Sequence, residues 1–187
     1  MDKYGADALR VGILLIAPQG LDILFSEDKI EHGRNFMNKL WNSARFVEMN
    51  IEDSSSLKFD DLNVNDLDPT DRWILSCLNT TILNVDKAYS NYRLNDAVKI
   101  VYDFVYKNFC DWYIEFSKSR FYGNDKKDRD IAQATTLHVL KTILKLMHPY
   151  CPFITEEIWS HLETESLLIN SKWPSVDKSL IDNNIVN

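Results

Sequence analysis

Asn35, Lys39, Asn42 and Phe46 are spaced so that, on a helix turning about 100° per residue, they fall within a stripe roughly 60° wide. Amides can bond base edges, a lysine can meet a phosphate, and a phenylalanine ring can stack on a base. Gly33, Met37, Leu40, Ala44 and Val47 fall on the opposite side, with Phe36 and Trp41 at its edges. One rod therefore has a core face and a face of amides, a cation and a ring that has no core to enter. A second reading has Phe46, near the helix end, packing under a neighbouring loop.

A second stretch, Phe109-Cys110-Asp111-Trp112-Tyr113-Ile114-Glu115-Phe116, has aromatics at nearly every position. No single α-helical face holds them all. Either the helix is buried on several sides or some rings meet a partner or ligand. Glu115 and Lys118, one turn apart, pair on the surface. Cys110 has no histidine set by the sequence to activate it and reads as a buried thiol. Glu156 and Glu157 resemble a carboxylate pair, but neighbours on a helix point in different directions, and a place in the first turn explains them. The sequence holds no Gly-rich phosphate loop, metalloprotease motif or nucleophile elbow, so no catalytic residue is assigned.

The 187 residues suffice for one domain with a real core. A hydrophobic content of 45% excludes a disordered chain, and only five Gly and five Pro favour long helices. The formal net charge of −7 argues against a nonspecific nucleic-acid binder. The charge is unevenly distributed, however. Seven acids and one base lie between Glu52 and Asp71, so the rest of the chain is close to neutral. An RNA-facing surface elsewhere would work through stacking and base edges more than through counterion release. Cys77, Cys110 and Cys151 are odd in number and widely spaced, and are expected as free thiols in a reducing cytosol. The four histidines make no metal-ligand spacing. No secretory leader or apolar run near 18 residues is visible, so neither export nor a membrane span is expected, and the location is read as cytoplasmic.

The elements that must position these residues are helices. A short first helix ends by Ile16, Ala17-Pro18-Gln19-Gly20 breaks it, and 21–25 is an extended link. The chain starts abruptly, as if cut from something longer. Ser26 caps a helix over Glu27–Asn50. The acidic connector follows. Asp68-Pro69 opens a third helix to about Tyr92. Asn95 caps a fourth that runs to about Tyr122, where Gly123 stops it. A fifth covers Arg129–His148. Pro149 and Pro152 forbid continuation, and Thr155 caps a short helix over Glu156–Leu162. Residues 166–187 show little periodicity, with Leu167-Leu168-Ile169 and Trp173-Pro174 docking on the surface. The expected fold is all-α, an antiparallel bundle of five to six helices. Residues 1–25 are a lead-in, 26–165 the bundle and 166–187 an irregular tail.

Several motifs carry a resemblance: Tyr4-Gly-Ala-Asp-Ala-Leu-Arg10, the block from Arg34 to Asn42, Asp71-Arg-Trp-Ile74, Phe109-Cys-Asp-Trp-Tyr113, and the run from His148 to Trp159. In this order they resemble the valyl-tRNA synthetases, over about residues 3 to 174. The first and last motifs are shared loosely with isoleucyl and leucyl enzymes; the second and fourth point to the valyl one. The resemblance implies the helical anticodon-binding domain that follows a class I catalytic core. The HIGH-type and KMSKS-type signatures are absent from this sequence, and with them the ATP site and the editing domain. Cofactors are therefore expected only in the parent enzyme. The implied partners are the anticodon loop of valine tRNA and the parent's catalytic and editing domains. By the same resemblance Phe46 is a stacking aromatic and Ile114 lies against an anticodon base. Asn35, Asn42 and Arg45 meet base edges or sugars, and Lys39 meets phosphate. Trp112 and Tyr113 shape the pocket from behind. Asp28 stands where relatives often carry a basic residue, with Lys29 beside it. A helical protein-interaction module without an RNA role is the reading from another class.

Overall fold

The computed structural model describes residues 3–16, 26–51, 58–163 and 166–182. The breaker at 17–20, the link at 21–25 and the serine patch at 54–56 lie outside them. The described residues form α1 (Ala6–Ile16), α2 (Glu27–Asn50), α3 (Pro69–Ser90), α4 (Leu94–Asp103), a π-helical segment (Phe104–Tyr113), α5 (Ile114–Phe121), α6 (Lys126–Met147) and α7 (Pro152–Leu162), with short 3₁₀ turns between and after them. No strand occurs among them. Both junctions of the π-helical segment keep helical dihedrals, so 94–121 is one continuous rod and the architecture is a bundle of six rods.

α2 has the bounds its periodicity predicts. Its apolar stripe, Phe36, Met37, Leu40, Ala44 and Val47, is buried. Ser26 stands at the N-cap, but its side chain makes no capping hydrogen bond. α1 packs directly against α2. It crosses α2 at two glycines: a Cβ on Gly33 would lie 2.2 Å from the Ala8 carbonyl oxygen, and one on Gly12 would lie 2.9 Å from that of Lys29. Only hydrogen fits there, so the backbones themselves are in contact. Asp7 of α1, itself buried, accepts from the Ile154 amide at 2.8 Å and so supplies a cap for α7.

α3 starts as its Asp-Pro signal predicts. The Asp68 carboxylate accepts from the Thr70 amide at 2.8 Å, and Asp71 returns the bond to the Asp68 amide at 3.3 Å. Asp71, one of the acids of its segment, has further partners. Asp71 is fully buried. One of its oxygens accepts from the Tyr113 hydroxyl at 2.7 Å and from Arg120 Nη1 at 2.8 Å, while Arg120 also donates to Asp128 on α6. Burial disfavours the Arg120 charge, and the two carboxylates more than offset this, holding its pKa above the ordinary value. The start of α3, the end of the long rod and the start of α6 are thereby tied at one point.

Three other starts differ from expectation. α4 begins at Leu94 after Arg93, so Asn95 is inside the helix, and Tyr92 turns the chain with a left-handed φ of 57°. α6 begins at Lys126, because the Asp125 carboxylate accepts from the Lys127 and Asp128 amides. α7 begins at Pro152, which occupies the first turn, where proline's missing amide costs nothing. Thr155 lies within α7 and bonds back to the Cys151 carbonyl. Glu156 anchors rather than starts: it accepts from the Leu168 and Ile169 amides at 2.7 and 3.3 Å. Within the tail, residues 166–182 form a strap along α3, held by Trp173 to Asp86, the Asp177 amide to Asn79, and a reciprocal pair between Ser76 and Asp182. Leu168 docks, while Leu167 and Ile169 are exposed. The three cysteines are free and buried, and burial pushes the Cys77 thiol up to about 11. Among the described residues no helix is long and apolar enough to cross a membrane.

Candidate nucleic-acid interface

Asn35, Asn38, Asn42, Arg45 and Met49 are exposed along α2, forming its outward arc. Arg45 marks one edge of the arc, lining a hollow of about 190 Å³ with Trp41, Glu48, Ile158 and His161 of the α7 side. Lys39 and Phe46 mark the other edge, where α2 runs alongside the long rod. That seam is closed by Lys39 with Asp111, by the Ser43 hydroxyl on Cys110 Sγ at 3.1 Å, and by Phe46 with Phe121, ring centroids 5.9 Å apart. Asn38 is absent from the predicted stripe, although its spacing from Asn35 and Asn42 places it on the same arc.

Phe46 is half-buried and leans on the core. The Lys118 ammonium lies over its ring at 5.6 Å and bonds Glu115 at 2.6 Å. The ring is thus neither free in solvent nor lost among aliphatics. It sits at the lip of the seam with a cation above it, and that cation already has Glu115 as its anion.

Lys39 lies 3.4 Å from the centroid of the Tyr106 ring. Burial works against its charge, but the hydrogen bond and attraction from Asp111 outweigh it and raise the pKa. The expected phosphate contact therefore begins from an ammonium that already has an anion.

The aromatic stretch is divided by the π-helical segment, whose wider turn carries the Ile114 amide back to the Phe109 carbonyl. Phe109 and Tyr113 go into the core. Trp112 and Phe116 stay outside, 56% and 44% exposed, with centroids 5.7 Å apart. This corrects two expectations. Trp112 does not stand behind the pocket but projects from the surface. Ile114, expected against a base, is 5% exposed, because its position faces inward once the π-helical turn ends. Tyr113 lies behind the seam entirely within the core, with its hydroxyl on Asp71. Burial and the Asp71 charge hold that phenol far above its ordinary range, so it stays protonated and donates to Asp71.

Long rods, closed on one side by a strap, thus present amides, a guanidinium and a half-buried ring along one helix. The sequence family described as the anticodon-binding domain of tRNA ligase matches residues 71–187, and the chain belongs to it. Over nearly its whole length the chain is similar to valine–tRNA ligases. It is 39% identical to that of Listeria innocua over 185 residues, 97% of this chain and 20% of that protein. It is 43% identical to that of Clostridium tetani over 181 residues, 96% of this chain and 20% of that protein. The chain thus spans about one fifth of the length of the curated relatives it matches. The LeuRS of Agrobacterium radiobacter, solved in a ternary complex with tRNA and LeuAMS, shares the fold: TM-score 0.71 at 19% identity, covering 96% of this chain and 20% of that one.

Proposed function

We propose that this chain is the part of a valine–tRNA ligase that holds the anticodon loop of valine tRNA. The observation that carries the reading is the division of labour on α2, where a fully buried apolar stripe backs an exposed row of Asn35, Asn42 and Arg45 ending at the half-buried Phe46. In this reading Phe46 stacks on a loop base and the amides and Arg45 meet base edges or sugars. Lys39 meets a backbone phosphate. Ile114 supports the seam from inside. Trp112 is a surface ring at the margin. Similarity to valine–tRNA ligases over nearly the full chain favours valine over leucine or isoleucine as the parent's amino acid, since the leucyl structure supports the fold alone. ATP and valine would be handled in the parent's catalytic domain, in the cytoplasm, and discrimination against wrong amino acids in its editing domain. This chain contributes no reacting group to either.

The test is titration with a valine-type anticodon stem-loop and with the same hairpin altered at the middle anticodon base. Weaker binding of the altered hairpin is expected. Equal binding of the two would count against valine-anticodon recognition.

A further inference from the structure

Lys39 and Asp111 are 72 positions apart in sequence, yet their ion pair closes the seam beside the proposed base-reading row. The ammonium has the Tyr106 ring on one side, and its side chain is 25% exposed; the Asp111 side chain is 46% exposed. An incoming phosphate reaches the same ammonium from solvent, where the carboxylate already is. It either displaces Asp111, at the cost of that ion pair, or shares Lys39 with it, so that two anions crowd one cation and repel. The seam does not depend on this pair, because Ser43 with Cys110 and Phe46 with Phe121 also hold it.

We propose that Asp111 is an internal stand-in for an RNA phosphate at Lys39 and holds down the affinity of the α2 face for RNA. The inference rests on the anticodon reading above and adds to it a residue that opposes binding. Its physical signature is twofold. Neutralising the carboxylate without changing its shape frees the lysine, so affinity rises, by up to about fivefold if the pair has the strength of an exposed ion pair. A lysine without an internal partner also releases a counterion when it meets phosphate. The plot of log affinity against log salt therefore steepens by about 0.7 for a single-stranded loop.

The experiment compares the wild-type 187-residue chain, Asp111→Asn, Lys39→Met and the double variant, each titrated with the valine-type stem-loop at several salt concentrations. Helical spectra and melting temperatures serve as fold controls. Tighter binding and a steeper salt slope in Asp111→Asn, both vanishing when Lys39 is Met, are expected. If the wild type binds and Asp111→Asn binds equally or more weakly, Asp111 does not oppose RNA, and this inference falls while the anticodon reading stands. If neither the wild type nor Asp111→Asn binds the hairpin, the anticodon reading itself falls and takes this inference with it.

Discussion

Arg120→Met tests the point at which α3, the long rod and α6 are tied together. Arg120 donates to the fully buried Asp71 and to Asp128, and its side chain is 11% exposed. Methionine keeps most of the volume and removes the charge. Asp71 then retains the Tyr113 hydroxyl and its capping bond but loses its cation. Breaking a buried pair in this way costs about 3–5 kcal/mol; with two donors still on Asp71, the lower end, about 3 kcal/mol, is expected. That is a large share of the stability of a domain this size, typically about 5–15 kcal/mol. Adding Asp71→Asn in the Arg120→Met background removes the stranded charge, so the double variant should regain part of the loss. Urea unfolding followed by far-ultraviolet circular dichroism reads both. A loss below about 1 kcal/mol for the single variant, or a double variant less stable than it, would refute the account of this network.

His138 stacks on Phe59 with centroids 3.8 Å apart, and burial holds its pKa down at about 4. The unfolded chain therefore binds this proton between about pH 6.5 and 4 while the folded chain does not. Stability is full above pH 6.5 and falls as the pH drops to 4, by roughly 3 kcal/mol at most. Denaturation midpoints measured across that window should show this component in the wild type and lack it in His138→Phe, which keeps a ring. Gly33→Ala gives a test by sign. Alanine in an open helix position would stabilise by about 0.5–1 kcal/mol. Against the Ala8 carbonyl at 2.2 Å it should instead destabilise by about 1–3 kcal/mol or more, read as a lower melting temperature.

How much of the fold and the site is legible in the sequence depends on the range of the interaction. α2 is readable to its ends because apolar spacing and core burial coincide along it, and the start of α3 because Asp68 and Pro69 act within one turn. The π-helical segment is not, since its wider turn leaves no separate compositional trace; the crowding of aromatics is the only hint. Its consequences, an exposed Trp112 and an enclosed Ile114, are hidden with it. Asp71 looks like one more acid of the connector because its partners are 42 and 49 residues away. Pro152 reads as a breaker when its position makes it a start. At the candidate site the amide row can be read from spacing, whereas the pairing of Lys39 with Asp111 needs two helices brought side by side.

In the proposed function α2 packs with one face and grips RNA with the other, using the Phe46 ring. Phe46→Leu keeps an apolar side chain against Phe121 and removes the flat surface. Its affinity for the valine-type stem-loop, measured beside the wild type with matched helical spectra, tests this most directly. A weakening worth about 1–3 kcal/mol, the range for one lost base–aromatic stack, is expected. Wild-type affinity in the folded variant would contradict it.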